Sequence, residues 1–366
     1  MFFRSKYLLL FTFFVFLTIV LFIFSKVITY TNSYEKDVPL SSGGDVAEEF
    51  DVNNTDETII ETKILFTGDV FLGRDVERKL LRSNDMLFPW RGLQDTFNYH
   101  DFVVVNFEGA VPEQHRETPD FDFNFSIRKD IAQSMSSVGV THASLANNHA
   151  FDFGAGEYIN TRAVLLDSGV VPFGHPLRVD AEYSTTVLET EVGAVLLMGI
   201  HTLFAVPSND QLLEVYQSFV DDTVFQIVYI HWGEEYNPKH SLSQIQFAQD
   251  LFEIGFDMII GHHPHVVQDI QVVDDKLIFY SLGNTIFDQY FSVDVQEGLL
   301  LSLKLRSNDD HIVELLPISS LHSRIHPNIM SGSDALRFLL DLSEKSHASL
   351  REYIVNGTIH LKRLAQ

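Results

Sequence analysis

The sequence predicts an α/β body held behind a single membrane-spanning helix. From Ile59 onward, short β-branched and aromatic runs alternate with amphipathic stretches, which is the pattern of a mixed α/β domain. A long uncharged apolar run opens the chain, and metal-competent residues recur directly after the later apolar runs. With 366 residues, 45% hydrophobic and 20% charged, the chain can bury a real core and is not mainly disordered. Its 25 Lys and Arg face 50 Asp and Glu, a formal charge of −25. Nucleic acid is therefore excluded as a partner class, because phosphate binding needs clustered bases. There is no cysteine, so a disulfide framework, a thiolate zinc site and a Cys nucleophile are excluded as well.

Residues 1–30 read as a retained signal-anchor. Arg4 and Lys6 precede an uncharged run over residues 7–25, which as a helix reaches roughly 28 Å, close to a bilayer core. A cleaved signal peptide has a shorter apolar core and a small-residue cleavage site, and this run has neither. Residues 31–58 carry eight acids and one lysine around Ser-Ser-Gly-Gly and read as a flexible acidic stalk. The basic flank precedes the helix, so the N-terminus is expected in the cytoplasm and the rest outside it. The first thirty residues contribute +3 and the stalk −7, which leaves −21 on the body, residues 59–366.

Within the body, strands are expected over residues 63–67, 102–105, 141–146, 194–200, 225–230, 258–260, 277–280 and 299–305. Helices are expected over 131–138, 157–167, 211–219, 243–254 and 335–345. Ser241 and Gln244 fit a capping box before the fourth of these, and Gly255 its stop. The segment from 277 to 316 is more hairpin-like, with Asn308 and Asp309 at a turn, so the sheets are expected to be mixed.

Ligands of open α/β sheets sit at the carboxyl ends of strands, and that is where the polar residues fall. KILFTGDVFLGR places Asp69 after a strand, as a turn residue or a ligand. FVVVNFEGAV places Asn106 and Glu108 at the next strand end, where Glu108 is a ligand, a partner of a buried base, or solvent-facing. HASLANNHAFDFG offers Asn147, Asn148 and His149, which would equally cap a helix. His231 in IVYIHWGEEY reads as a core histidine or a ligand. In DMIIGHHPHVVQ, His263 and His265 are two apart, so extended backbone would point both the same way and His262 the other. A metal resolves the repulsion between two such imidazoles. Taken together this oxygen and nitrogen set suits two divalent ions such as Mn, Fe or Zn better than one closed structural zinc. Two bridged ions supply a nucleophile at neutral pH and clamp a tetrahedral or phosphoryl transition state.

The segments GDVFLGR, VNFEGAV, LANNHAFDFG, IHWGEEY, GHHPHVVQ and YSLGNTIFD resemble the capsule synthesis CapA family, a resemblance that covers residues 63–323 and the late helix. That family is associated with poly-γ-glutamate and lies within the calcineurin-like metallophosphoesterase superfamily. The resemblance implies a four-layer α/β/β/α sandwich with a dinuclear site. It implies Asp69, Glu108, Asn148, His231, His263 and His265 as metal ligands, with His149 assisting the leaving group. The superfamily's first motif is Asp-x-His, and here Phe71 stands at the third position. Supporting roles fall to Arg74, which would hold an anionic substrate or pair with Asp75 or another acid, to Glu234 and Glu235, which would orient a ligand or bind an ammonium group or be exposed loop acids, and to Asn284, which would contact the substrate site. The expected function is a membrane-anchored, extracytoplasmic metal hydrolase acting on an amide or phosphoester in capsule or poly-γ-glutamate synthesis, processing or attachment. Its expected partners are the membrane, an anionic cell-surface polymer or its precursor, and other capsule synthesis proteins. The competing expectations are a non-catalytic subunit of a polymer export complex and a metal-dependent phosphoesterase.

Overall fold

The computed structural model describes residues 58–361. The expected anchor helix over residues 7–25, and the stalk apart from Thr58, lie outside the described residues. Among the described residues no helix is long and apolar enough to cross a membrane.

The strands are β1 (Glu61–Val70), β2 (Phe102–Phe107), β3 (His142–Ser144), β4 (Val171–Phe173), β5 (Thr185–Leu188), β6 (Val195–His201), β7 (Phe225–His231), β8 (Met258–His262), β9 (Ile270–Val273), β10 (Lys276–Phe279), β11 (Asn284–Ile286), β12 (Glu297–Arg306), β13 (Ile312–Ser319), β14 (Asn328–Ile329) and β15 (Thr358–His360). One sheet runs β14-β13-β12-β1-β2-β3-β4, with β11 beside β1 and β15 beside β13. The other runs β5-β6-β7-β8-β10-β9. Both are mixed: β1 to β4 are parallel while β12 and β13 are antiparallel. In the second sheet β6, β7, β8 and β10 are parallel, flanked by antiparallel β5 and β9.

Strand alternation sorts the apolar residues into layers. In the first sheet Leu65, Val103 and Val105 face Val76, Leu80, Ile131 and Leu165 on helices Arg74–Ser83, Lys129–Ser134 and Gly154–Asp167. Their neighbours Ile64, Phe66 and Val104 turn to the opposite side, where they share a core with Leu197, Ile227, Tyr229 and Ile260 of the second sheet. The outer residues of that sheet, Leu196, Val228, Ile230 and Ile259, pack with Leu212, Phe247 and Leu251 of helices Asn209–Gln217 and Leu242–Ile254. The order is therefore helix, sheet, sheet, helix. Each fully buried side chain of this kind contributes roughly 1.5–3 kcal/mol.

The capping box before the Leu242–Ile254 helix is present, with Gln244 N–H donating to Ser241 Oγ at 3.3 Å and Ser241 N–H to Gln244 Oε1 at 2.9 Å. Gly255 ends that helix at φ 131°. The helix expected over 131–138 begins at Lys129 and tightens into a 3₁₀ turn over Met135–Val138. Asp309, at φ 59°, turns the hairpin between β12 and β13. The Arg74–Ser83 helix was not expected, because its sequence is mostly charged and only Val76 and Leu80 form an apolar stripe.

Candidate metal centre

The centre lies where the carboxyl ends of both sheets converge. Asp69 sits near the end of β1, beside Asn106 of β2 and Asn284 of β11 in register. Gly68 allows this: a Cβ there would stand 1.8 Å from the Gly283 carbonyl oxygen, and in its absence Asp69 N–H donates to that oxygen at 2.9 Å. Asp69 is fully buried and accepts from Asn106 Nδ2 at 2.7 Å and from the His263 backbone N–H at 3.2 Å. Glu108 follows β2 and is equally buried, its N–H donating to Val70 at 2.9 Å.

Two donor groups share Asp69. Asp69, His231 and His262 form one, and Asp69, Glu108 and His265 the other, with ligand atoms within 4.8 Å of one another in each. His265 Nδ1 is 3.3 Å from Asp69, and its Nε2 is 3.9 Å from Glu108 Oε1. Asn148 Oδ1 stands 2.7 Å from His231 Nε2, whose other nitrogen is 2.8 Å from His262 Nδ1. The His263 ring centroid lies 4.6 Å from that of His231.

The extended-backbone expectation for GHHPH is corrected here. Strand β8 ends at His262, and the chain then turns through φ 102° at His263 and 59° at His265. His262 keeps the strand's alternation, on the inward face with Met258 and Ile260, and the turn after it frees His263 and His265 from that alternation. His262 takes part in the cluster as the strand's last residue, in register with His231.

The electrostatics favour a cation. Burial pushes the Asp69 carboxyl up, but the hydrogen bond and charge of His265, helped by His262 and Asn106, outweigh it and hold Asp69 down at about 2. Glu108 is raised by burial first and by the Asp69 charge second. Burial likewise lowers His262 and His263 to about 3 and holds His231 well below the ordinary imidazole range, which keeps these imidazoles neutral as ligation requires. Burial opposes protonation of His265, yet Glu108 and Asp69 lift it to about 9. Glu108 Oε1, His262 Nε2 and His263 Nδ1 are buried without any hydrogen-bond partner. Such orphans are costly in a folded protein, and a cation held in the donor group of Asp69, Glu108 and His265 would relieve the Glu108 oxygen. The residues present therefore fit a metal.

His149 borders the cluster. Its Nδ1 is 2.9 Å from Asp152 Oδ2 and its Nε2 3.7 Å from Glu108 Oε1. Its ring stacks on Phe125 at 3.8 Å, and Phe125 stacks in turn on Phe71 at 4.2 Å. Where the resemblance calls for a histidine ligand, Phe71 thus buttresses His149 through Phe125. Asp152 was missed from sequence; its signal was the i,i+3 spacing from His149 at the start of a helix.

The remaining candidates divide. Arg74 Nε reaches both Asp288 oxygens, at 3.0 and 3.1 Å, so Asp288 rather than Asp75 is its partner. Asn284 Oδ1 is 2.9 Å from His265 Nδ1, while its Nδ2 donates to Gln289 and to Val295 O. A cavity of about 480 Å³ is lined by His149, His265, Arg74 and Glu235. Glu234 instead borders a separate hollow beside Trp232 and Gln244.

A buried oxygen and nitrogen donor set at the strand ends of an α/β sandwich defines the class by a group of residues that could hold a metal. The profile of the bacterial capsule synthesis protein family PGA_cap matches residues 63–289, and the chain belongs to that family. The PGA biosynthesis protein CapA of Bacillus subtilis is 26% identical over 269 residues, 69% of this chain and 70% of that protein. The capsule biosynthesis protein CapA of Bacillus anthracis is 28% identical over 273 residues, 69% of this chain and 66% of that protein. The chain thus matches about two thirds of the length of these relatives. A solved phosphatase from Mycoplasma pneumoniae aligns at a TM-score of 0.43 and 14% identity, covering 75% of this chain and 92% of that one.

Proposed function

We propose that this protein is a membrane-anchored, extracytoplasmic hydrolase acting in capsule or poly-γ-glutamate synthesis, processing or attachment, with two divalent ions (Mn, Fe or Zn). The observation that carries the reading is the pair of donor groups sharing buried Asp69, with unpartnered Glu108, His262 and His263 atoms around it. Asp69, Glu108 and His265 would hold one ion; Asp69, Asn148 and His231, with His262 or His263, would hold the second. When bound, such ions act as Lewis acids and make water nucleophilic at neutral pH. The chain's own part is to orient and to move a proton. With Nδ1 tied to Asp152, His149 Nε2 is the atom that would deliver a proton to the departing oxygen or nitrogen. Family membership and the names of the Bacillus relatives support a capsular polymer or its precursor as the substrate. The uncharged run over residues 7–25 supports the anchor.

Elemental analysis of the full chain, with turnover of an aryl phosphate and a γ-glutamyl anilide in added manganese, tests the proposal. His149→Ala is expected to lose on the order of 10²-fold in turnover while keeping its metal. Phe71 in place of a ligating histidine favours the competing reading, a non-catalytic subunit of a polymer export complex. Absence of metal, or of turnover on both substrates, would decide for that subunit.

A further inference from the structure

We propose that Arg324 binds an anionic oxygen group of the substrate, carboxylate or phosphate, in the cavity beside His149 and His265. The inference rests on the hydrolase reading and adds the chemical class that the site selects.

Three arginines line this cavity: Arg74, Arg78 and Arg324. Two of them are already neutralised. Arg74 is held by both oxygens of Asp288, and Arg78 lies 2.9 Å from Glu117, 2.7 Å from Asp120 and 3.6 Å from Asp75. Arg324 has no acid within salt-bridge distance among the described residues; its guanidinium lies over the Tyr290 ring, 4.9 Å from the centroid. Of the three arginines on this wall it is the one that no acid neutralises. Its placement is built rather than accidental. The backbone is held at φ 60°, Arg324 N–H donates to Ser320 O at 2.6 Å, and Ile325 beside it is fully buried. The Tyr290 ring beneath is fixed by its hydroxyl, which donates to Asp75 at 2.9 Å.

The other charges on the wall explain why such a residue is needed. Asp75, Asp120 and Asp288 on this wall are paired with Arg74, Arg78 and Lys79, which leaves Glu235 to repel an anion approaching the donor cluster. A guanidinium with free donors offers a carboxylate or phosphate the planar, two-pronged contact those groups accept best. Arg324 lies beyond the stretch 63–289 matched by the family profile, so the family match does not assign it.

The test measures binding of γ-linked triglutamate and of phenyl phosphate to the full chain in detergent with manganese. The variants are Arg324→Ala, Arg324→Lys and Arg324→Glu. The expected result is a Kd about tenfold weaker for one probe class in Arg324→Ala, weaker again in Arg324→Glu, and partly restored in Arg324→Lys. The salt dependence of that Kd should become shallower, with melting temperature and metal content unchanged. The probe that responds identifies the group as carboxylate or phosphate. Equal affinity for both probes in wild type and Arg324→Ala overturns the inference, as does a wild type that binds neither. If turnover of the aryl ester stays normal in that case, the hydrolase reading survives and only this assignment falls. A metal-free wild type whose probe binding still depends on Arg324 would strike the hydrolase reading instead.

Discussion

At the scale of single residues, the site keeps Glu108 Oε1, His262 Nε2 and His263 Nδ1 buried without hydrogen-bond partners. Asp152 is the residue whose role separates most cleanly from ligation, since it touches His149 and the Phe125 backbone N–H but none of the clustered donors. Asp152→Asn keeps the shape and removes the charge that orients the imidazole. Turnover should fall on the order of tenfold to a hundredfold while bound metal per chain is unchanged. Equal losses of metal and turnover would show that Asp152 supports the cluster itself. That Asp69, Glu108, Asn148, His149 and His231 stand at strand ends was legible in the sequence because each lies at or a few residues beyond the end of an apolar run. The gathering of His263 and His265 on the same side as His262 was not, because it depends on positive φ at His263 and His265, which a two-residue period does not reveal. Nor was the role of Asp288, whose partner Arg74 is 214 positions away.

At the scale of elements, the helices that frame the second sheet are fixed by local chemistry. The Leu242–Ile254 helix starts from a reciprocal Ser241 and Gln244 box, and Phe247, Ala248 and Leu251 bury its inner face. Ser241→Ala is expected to cost about 1 kcal/mol of unfolding free energy. Urea unfolding monitored by circular dichroism would check this, and a loss below a few tenths would mean water replaces the cap. The same element was legible in advance because capping and stop signals lie within a few residues of each other. The short edge strands β4, β5, β9 and β15 were not, since three or four residues carry too little pattern to separate a strand from a loop. Their strand character comes from pairing with neighbours.

For the molecule as a whole, acid should be destabilising for a reason beyond its excess of carboxylates. His142, on β3, is buried away from the metal donors, and burial lowers it to about 4 from an ordinary 6.5. The unfolded chain therefore takes up a proton between those values that the folded chain refuses. The contribution is full above about pH 6.5 and is lost as the pH falls toward 4, at most about 3 kcal/mol. His142→Gln should flatten the stability profile across that window in urea titrations at several pH values. An unchanged profile would show that His142 is protonated in the folded state.

The donors come from both halves of the sandwich: Asp69 and Glu108 are carried by the first sheet, His231 and His262 by the second. An ion held among them would tie together two layers that otherwise meet mainly through apolar side chains, with a few polar ties such as the Tyr229 hydroxyl donating to the Thr67 carbonyl at 2.5 Å. Affinity for that ion is then a ruler for how well the halves are seated. A substitution deep between the layers, far from any ligand, will be felt first as a weaker grip on the cation.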